Sequence, residues 1–179
     1  METPIQRLAV SAYTVPTDVP ESDGTYTWDS TTLVLVEVMA GNVQGLGYTY
    51  ADTATAQLIK DTLAEAVLGC DAMAVPGTWA LMVGAIRNLG RPGIASMAIA
   101  AVDAALWDVK ARLLGVPLLT LLGAVRHSVP VYGSGGFTSY TRAQLRDQCS
   151  DWVADGMTRV KMKIGRHPDE DLNRVSVVR

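Results

Sequence analysis

Basic charge is scarce in this chain of 179 residues, where 15 Lys and Arg stand against 18 Asp and Glu and leave a formal charge of -3. No run of Lys or Arg forms a stripe able to neutralise phosphates, so nucleic acid is excluded as the expected partner. Cysteine is scarcer still. Cys70 and Cys149 lie far apart with no CxxC spacing, a pattern that fits a reducing cytoplasm and buried or idle thiols. No apolar stretch is long enough to span a bilayer, and Met1-Glu2-Thr3-Pro4 carries an acid where a signal peptide carries positive charge. A cytoplasmic protein without a membrane partner is expected. Phosphate-binding loops are also missing. Gly133-Ser134-Gly135-Gly136-Phe137 has neither Walker spacing nor GxGxxG, although so bare a backbone lets a small ligand approach, with Ser134 as a candidate contact. A tight turn alone is the other reading.

What is present is apolar: 49% of residues are hydrophobic and 18% charged, enough to bury a core in one large domain or a domain with part of another. β-branched and aromatic residues predict strands over 5–14, 31–38 and 44–50, the last two joined by a turn at Gly41-Asn42, in an antiparallel three-stranded meander. Residues 16–30, rich in Pro, Asp, Ser and Gly, predict a long loop in which Tyr26 and Trp28 offer aromatic contacts, as a lid or a simple connector. Apolar residues at helical spacing predict helices over 53–68, 78–88 and 94–114. The last should be a buried central helix in which Asp103 and Asp108 need structural hydrogen bonds or ion pairs.

Past Gly123 the pattern changes. A short strand over 129–133, a helix over 141–154, a strand over 158–164 and a helix from Pro168 make a β-α-β-α series. Such alternation implies parallel strands with helical crossovers, in a doubly wound sheet or a barrel. Within the second strand, Val160-Lys161-Met162-Lys163-Ile164-Gly165 points both lysines to one face. Beside water they mean little. In a closed site, desolvation and mutual repulsion disfavour the charged form and favour a base. Their place at a strand's C-terminal end is where β/α folds put chemistry. Asp169, Glu170 and Asp171 open the last helix, where acids favour the helix dipole, so they are not expected to bind metal.

The segment Ala95-Ser96-Met97-Ala98-Ile99-Ala100-Ala101-Val102-Asp103-Ala104-Ala105-Leu106-Trp107-Asp108-Val109-Lys110-Ala111, followed by Gly115-Val116-Pro117-Leu118 and Leu121-Leu122-Gly123, resembles the capping-domain helix of the enolase superfamily. The likeness is to its mandelate racemase and muconate-lactonizing branch, and the Lys-x-Lys pair about fifty residues later and the order of elements agree with it. The resemblance implies an α+β capping domain over 1–124, then over 125–179 the first two units of a modified (β/α)₈ barrel that is incomplete in this chain. It implies an enzyme that removes the proton α to a carboxylate through an enediolate: a sugar-acid dehydratase or racemase/epimerase, with a muconate-lactonizing-type cycloisomerase or a racemase of amino-acid derivatives as the alternatives. Lys163 would be the general base and Lys161 the carboxylate contact that tunes it. Tyr26, Trp28 and Tyr50 would touch substrate, and Mg²⁺ would absorb the developing charge. The metal ligands are expected C-terminal to Arg179, since a full barrel takes about 250 residues and the chain stops in mid-helix after two of its units. The segment alone is then expected to be inactive, and the complete protein a homo-oligomer. A non-catalytic capping or assembly module is the reading from another class.

Overall fold

A computed structural model describes residues 2–179. Strands β1 (Ile5–Ser22), β2 (Thr27–Ala40) and β3 (Val43–Tyr50) form one sheet in that order. β2 and β3 run antiparallel, Ala40 facing Val43 across the two-residue turn Gly41-Asn42. Both turn residues have positive φ, 55° and 65°, as a tight hairpin turn requires. Val34, Val36, Val38 and Ala40 alternate into the core and are fully buried, so strand periodicity alone fixes which face of β2 is covered.

Residues 16–30 are not a loop. β1 runs on through Pro16 and Pro20 to Ser22, and β2 begins at Thr27, leaving a turn in which the Asp23 amide donates to the Tyr26 carbonyl. Proline misleads here because β1 is the outermost strand, where a missing N–H is tolerated.

One compact unit comprises residues up to Val15 with Thr32–Val125. Here Asp52 caps α1 (Thr53–Leu58) by accepting from the Ala54 amide. The expected single helix over 53–68 is interrupted by a π turn at Ile59–Leu63 before α2 (Ala64–Val67). α3 (Val75–Ala85) starts ahead of the expected Thr78 because Pro76 fits the first helical turn. α4 (Ile94–Leu113) is central as expected, and α5 (Leu118–Leu122) follows. Ala98, Ala101, Val102, Ala105, Leu106 and Val109 of α4 are fully buried. Three of its four charged residues have partners. Asp108 accepts from the Leu46 amide and from Arg112 Nε, both at 2.8 Å, and Lys110 donates to the Met73 carbonyl at 2.8 Å. Asp103 departs from expectation: it lines a surface hollow with Trp79, Arg91 and Ser96, and burial pushes its carboxyl above the usual range. Among the described residues no helix is long and apolar enough to cross a membrane.

α4 lies on β3 at backbone contact. A side chain at Gly45 would strike the Ala105 carbonyl and the Val109 amide, and one at Gly47 the Ala101 carbonyl and the Ala105 amide. Gly47→Ala is therefore expected to destabilise the fold by about 1–3 kcal/mol through overpacking. Denaturant unfolding at constant m-value measures it, and an unchanged midpoint would refute the contact.

Candidate active site

The second unit comprises Pro16–Thr31 with Arg126–Arg179, so the tip of the β1–β2 hairpin belongs to it. It holds β4 (Gly133–Ser134), α6 (Arg142–Ala154), β5 (Val160–Lys161) and α7 (Pro168–Val178). β4 and β5 are parallel, Ser134 lying beside Lys161. Regular pairing is shorter than the expected 129–133 and 158–164: it begins only at Gly133 opposite Val160, and the turn at Gly136, φ 58°, ends it. Its last bonds are Gly135 N–H to the Lys161 carbonyl and Lys163 N–H to the Gly136 carbonyl. Thr141 caps α6 in a reciprocal box with Gln144.

The glycines of β4 serve packing rather than a phosphate. A side chain at Gly133 would land on the Trp152 ring, and one at Gly135 on Trp152 and Gln148, whose side-chain oxygen also accepts the Gly136 amide at 2.8 Å. A side chain at Gly136 would meet Met162 and Leu145. Gly133, Gly135 and Met162 therefore face α6, and alternation turns Ser134, Lys161 and Lys163 to the other face. Lys161 is exposed, its ammonium 5.5 Å from the centre of the Tyr132 ring, while Lys163 is half-buried. Beyond them Gly165 N–H donates to the Asp171 carboxylate, which gives one acid of the 169–171 group a structural task.

Across this strand end lies the hairpin tip. Gly24 comes so close that a side chain there would stand 2.9 Å from the Ile164 carbonyl oxygen, a position only glycine fills without displacement. Thr138 ties the tip down: its amide donates to the Ser22 carbonyl at 2.8 Å, its hydroxyl donates to the Asp23 carbonyl at 2.8 Å, and the two hydroxyls of Thr138 and Ser22 are 2.6 Å apart. Trp28 is held rather than free. Its indole N–H donates to Glu21 at 2.8 Å, and its ring stacks on Tyr26 and meets Phe137 edge-on at 5.6 Å. Tyr26 is 67% exposed. Tyr50 ends β3 in the other unit and is 69% exposed.

Sequence reasoning brings Ser134, Lys161 and Lys163 together and misses Ser22, Thr138 and Phe137, whose only signal was a short turn after β4. Asp23 gains importance. The Thr25 amide and then the Tyr26 amide hold its carboxyl below the usual range, partial desolvation opposes them, and the Thr25 hydroxyl and the Lys163 ammonium add smaller pulls. Among the described residues no three His, Cys, Asp or Glu side chains gather in a way that could hold a metal ion.

Residues 7–123 match the family model described as "Mandelate racemase / muconate lactonizing enzyme, N-terminal domain". A 3,6-anhydro-alpha-L-galactonate cycloisomerase of Streptomyces coelicolor is 35% identical over 98% of this chain and 50% of its own. A solved mandelate racemase/muconate lactonizing enzyme-like protein of Rubrobacter xylanophilus is 55% identical with a TM-score of 0.96, over 98% of this chain and 49% of that one. The L-talarate/galactarate dehydratase of Salmonella typhimurium LT2, solved with Mg and L-lyxarohydroxamate, is 28% identical with a TM-score of 0.87, over 99% and 48%. The chain spans about half the length, or less, of the curated relatives it matches.

Because the carboxylate of Asp23 is held by the tip's own amides, its lowered pKa ties the turn to pH. That contribution is present above the unfolded value of about 3.9 and lost as pH falls through the folded one. Amide-resolved NMR of the full-length protein should show Thr25 and Tyr26 shifting with a midpoint below about 3.9, and Asp23→Asn should flatten the titration. A midpoint at or above the ordinary value would refute the turn.

Proposed function

The chain belongs to the mandelate racemase / muconate lactonizing enzyme family of the enolase superfamily, and we propose that it forms the capping domain and first barrel units of a Mg²⁺-dependent enzyme acting on sugar acids. What carries this reading is the end of β5, where Ser134, Lys161 and Lys163 share a face beneath the hairpin tip. Lys163 is the general base that removes the proton α to the carboxylate. Lys161, with Ser134 beside it, presents positive charge and a hydroxyl to that carboxylate, so that substrate enters with its α carbon towards Lys163.

An α-proton next to a carboxylate is too weakly acidic for an amine alone, and Mg²⁺, when bound, supplies the charge stabilisation the carboxylate oxygens need. The residues described here do not form its site. Its ligands are assigned to the part of the relatives' length that this chain does not span, and the segment by itself is expected to be inactive.

The substrate class is a hydroxylated carboxylate, which suits a tip that offers Glu21, Asp23 and Tyr26 to hydroxyl groups. Dehydration or epimerisation of a sugar acid is the favoured outcome. Cycloisomerisation is the second reading, supported by the Streptomyces coelicolor relative, and it begins with the same proton abstraction.

In the full-length protein, Lys163→Ala is expected to lower exchange of the substrate α-proton with solvent by about 10²–10⁴-fold while Mg²⁺ still binds. Proton NMR in deuterated solvent reads the exchange and calorimetry the metal. Near-normal exchange would sink the assignment.

A further inference from the structure

Arg174 of α7 is buried, 8% exposed, and its guanidinium reaches no carboxylate among the described residues. It donates instead to two backbone carbonyls, Phe137 at 2.9 Å and Tyr140 at 3.1 Å. A buried cation held by carbonyls alone is costly unless the fold uses it. The two carbonyls bracket Thr138. Charge-assisted bonds on either side fix the backbone of the turn, and hence the direction of the Thr138 amide and hydroxyl. Those groups reach Ser22 and Asp23, and Ser22 is only 4% exposed, so its hydroxyl relies on Thr138 for a partner. On the same turn, Phe137 packs edge-on between Trp28 and Tyr140, at 5.6 Å and 5.4 Å.

We propose that Thr138, braced by Arg174, is the positioning residue that clamps the hairpin tip onto the end of β5, and that this clamp sets how tightly sugar acid is held without Thr138 touching it. The second half rests on the function proposed above; the clamp itself does not. The connection runs from α7 through a turn to the tip, joining residues more than a hundred positions apart in sequence. It makes the tip a fixed wall beside Lys163, in which the Thr138 hydroxyl is the side-chain tie to both Ser22 and Asp23.

The test uses the full-length enzyme with Thr138→Val and Thr138→Ser, galactarate as the probe, and hydrogen exchange of the amides over 23–28 alongside kcat and KM. Valine keeps the shape and the amide bond but strands the Ser22 hydroxyl and the Asp23 carbonyl. It should raise exchange of the tip amides and KM by about tenfold each, with kcat changed by less than about threefold, because the tip holds ground and transition states alike. Serine should restore both. Tip exchange in Thr138→Val equal to the parent's, or raised equally in Thr138→Ser, would overturn the clamp. A freed tip with unchanged KM would overturn its role in binding. A parent enzyme inert to galactarate, with tip protection lost only in the valine variant, would support the clamp and count against the sugar-acid reading alone.

Discussion

Backbone contact between α4 and β3 is the constraint on which the first unit depends. Gly45 and Gly47 remove the side chains that would separate helix from strand, and Ala101 and Ala105 keep the helix face equally shallow. The strand is thereby held at its β2 partners Val38 and Val36, both fully buried, so the register of the hairpin partner is fixed from the helix side as well as by hydrogen bonds. A close-packed interface of this kind has little freedom to relax, since interiors transmit rather than absorb small displacements.

The second unit is organised by a different device. Its strands are short and its glycines make room for the Trp152 ring, the Gln148 side chain and Met162, while Gly136 N–H donates to the Gln148 side-chain oxygen, which sets the strand ends against α6 and turns the lysines away from it. What closes over them is held by polar bonds, from Thr138 to Ser22 and Asp23, with an aromatic series of Tyr26, Trp28, Phe137 and Tyr140 alongside. Polar bonds to a turn are directional and individually modest, so they specify a position without burying much area. That suits a wall whose chemistry lies in its side chains.

Much of the fold was legible from local pattern. The 3.6-residue spacing of α4 located it to within a residue, and period-two burial located β2 and β3, because one face of each element is covered and the pattern survives in sequence. The failures have physical causes. Proline argued against strand at 16–22 because an edge position cannot be recognised before the sheet order is known. Asp103 was expected to find a partner because local sequence does not reveal that its turn of α4 borders a surface hollow. At the site, the lysines were visible as charges in an apolar strand. Thr138 and Arg174 were not, since nothing near either one in sequence hints at a partner.

By itself the sequence determined most of the element types outside residues 16–30, the capping-helix motif and the Lys-x-Lys pair, all of which follow from periodicity and residue chemistry over short spans. Tertiary structure alone decided that residues 16–30 form a hairpin tip, that the tip belongs with the β4 and β5 strand ends, and that Trp28 is seated on Phe137. The last two depend on contacts between residues more than a hundred positions apart, and such contacts leave no periodic trace in a single chain.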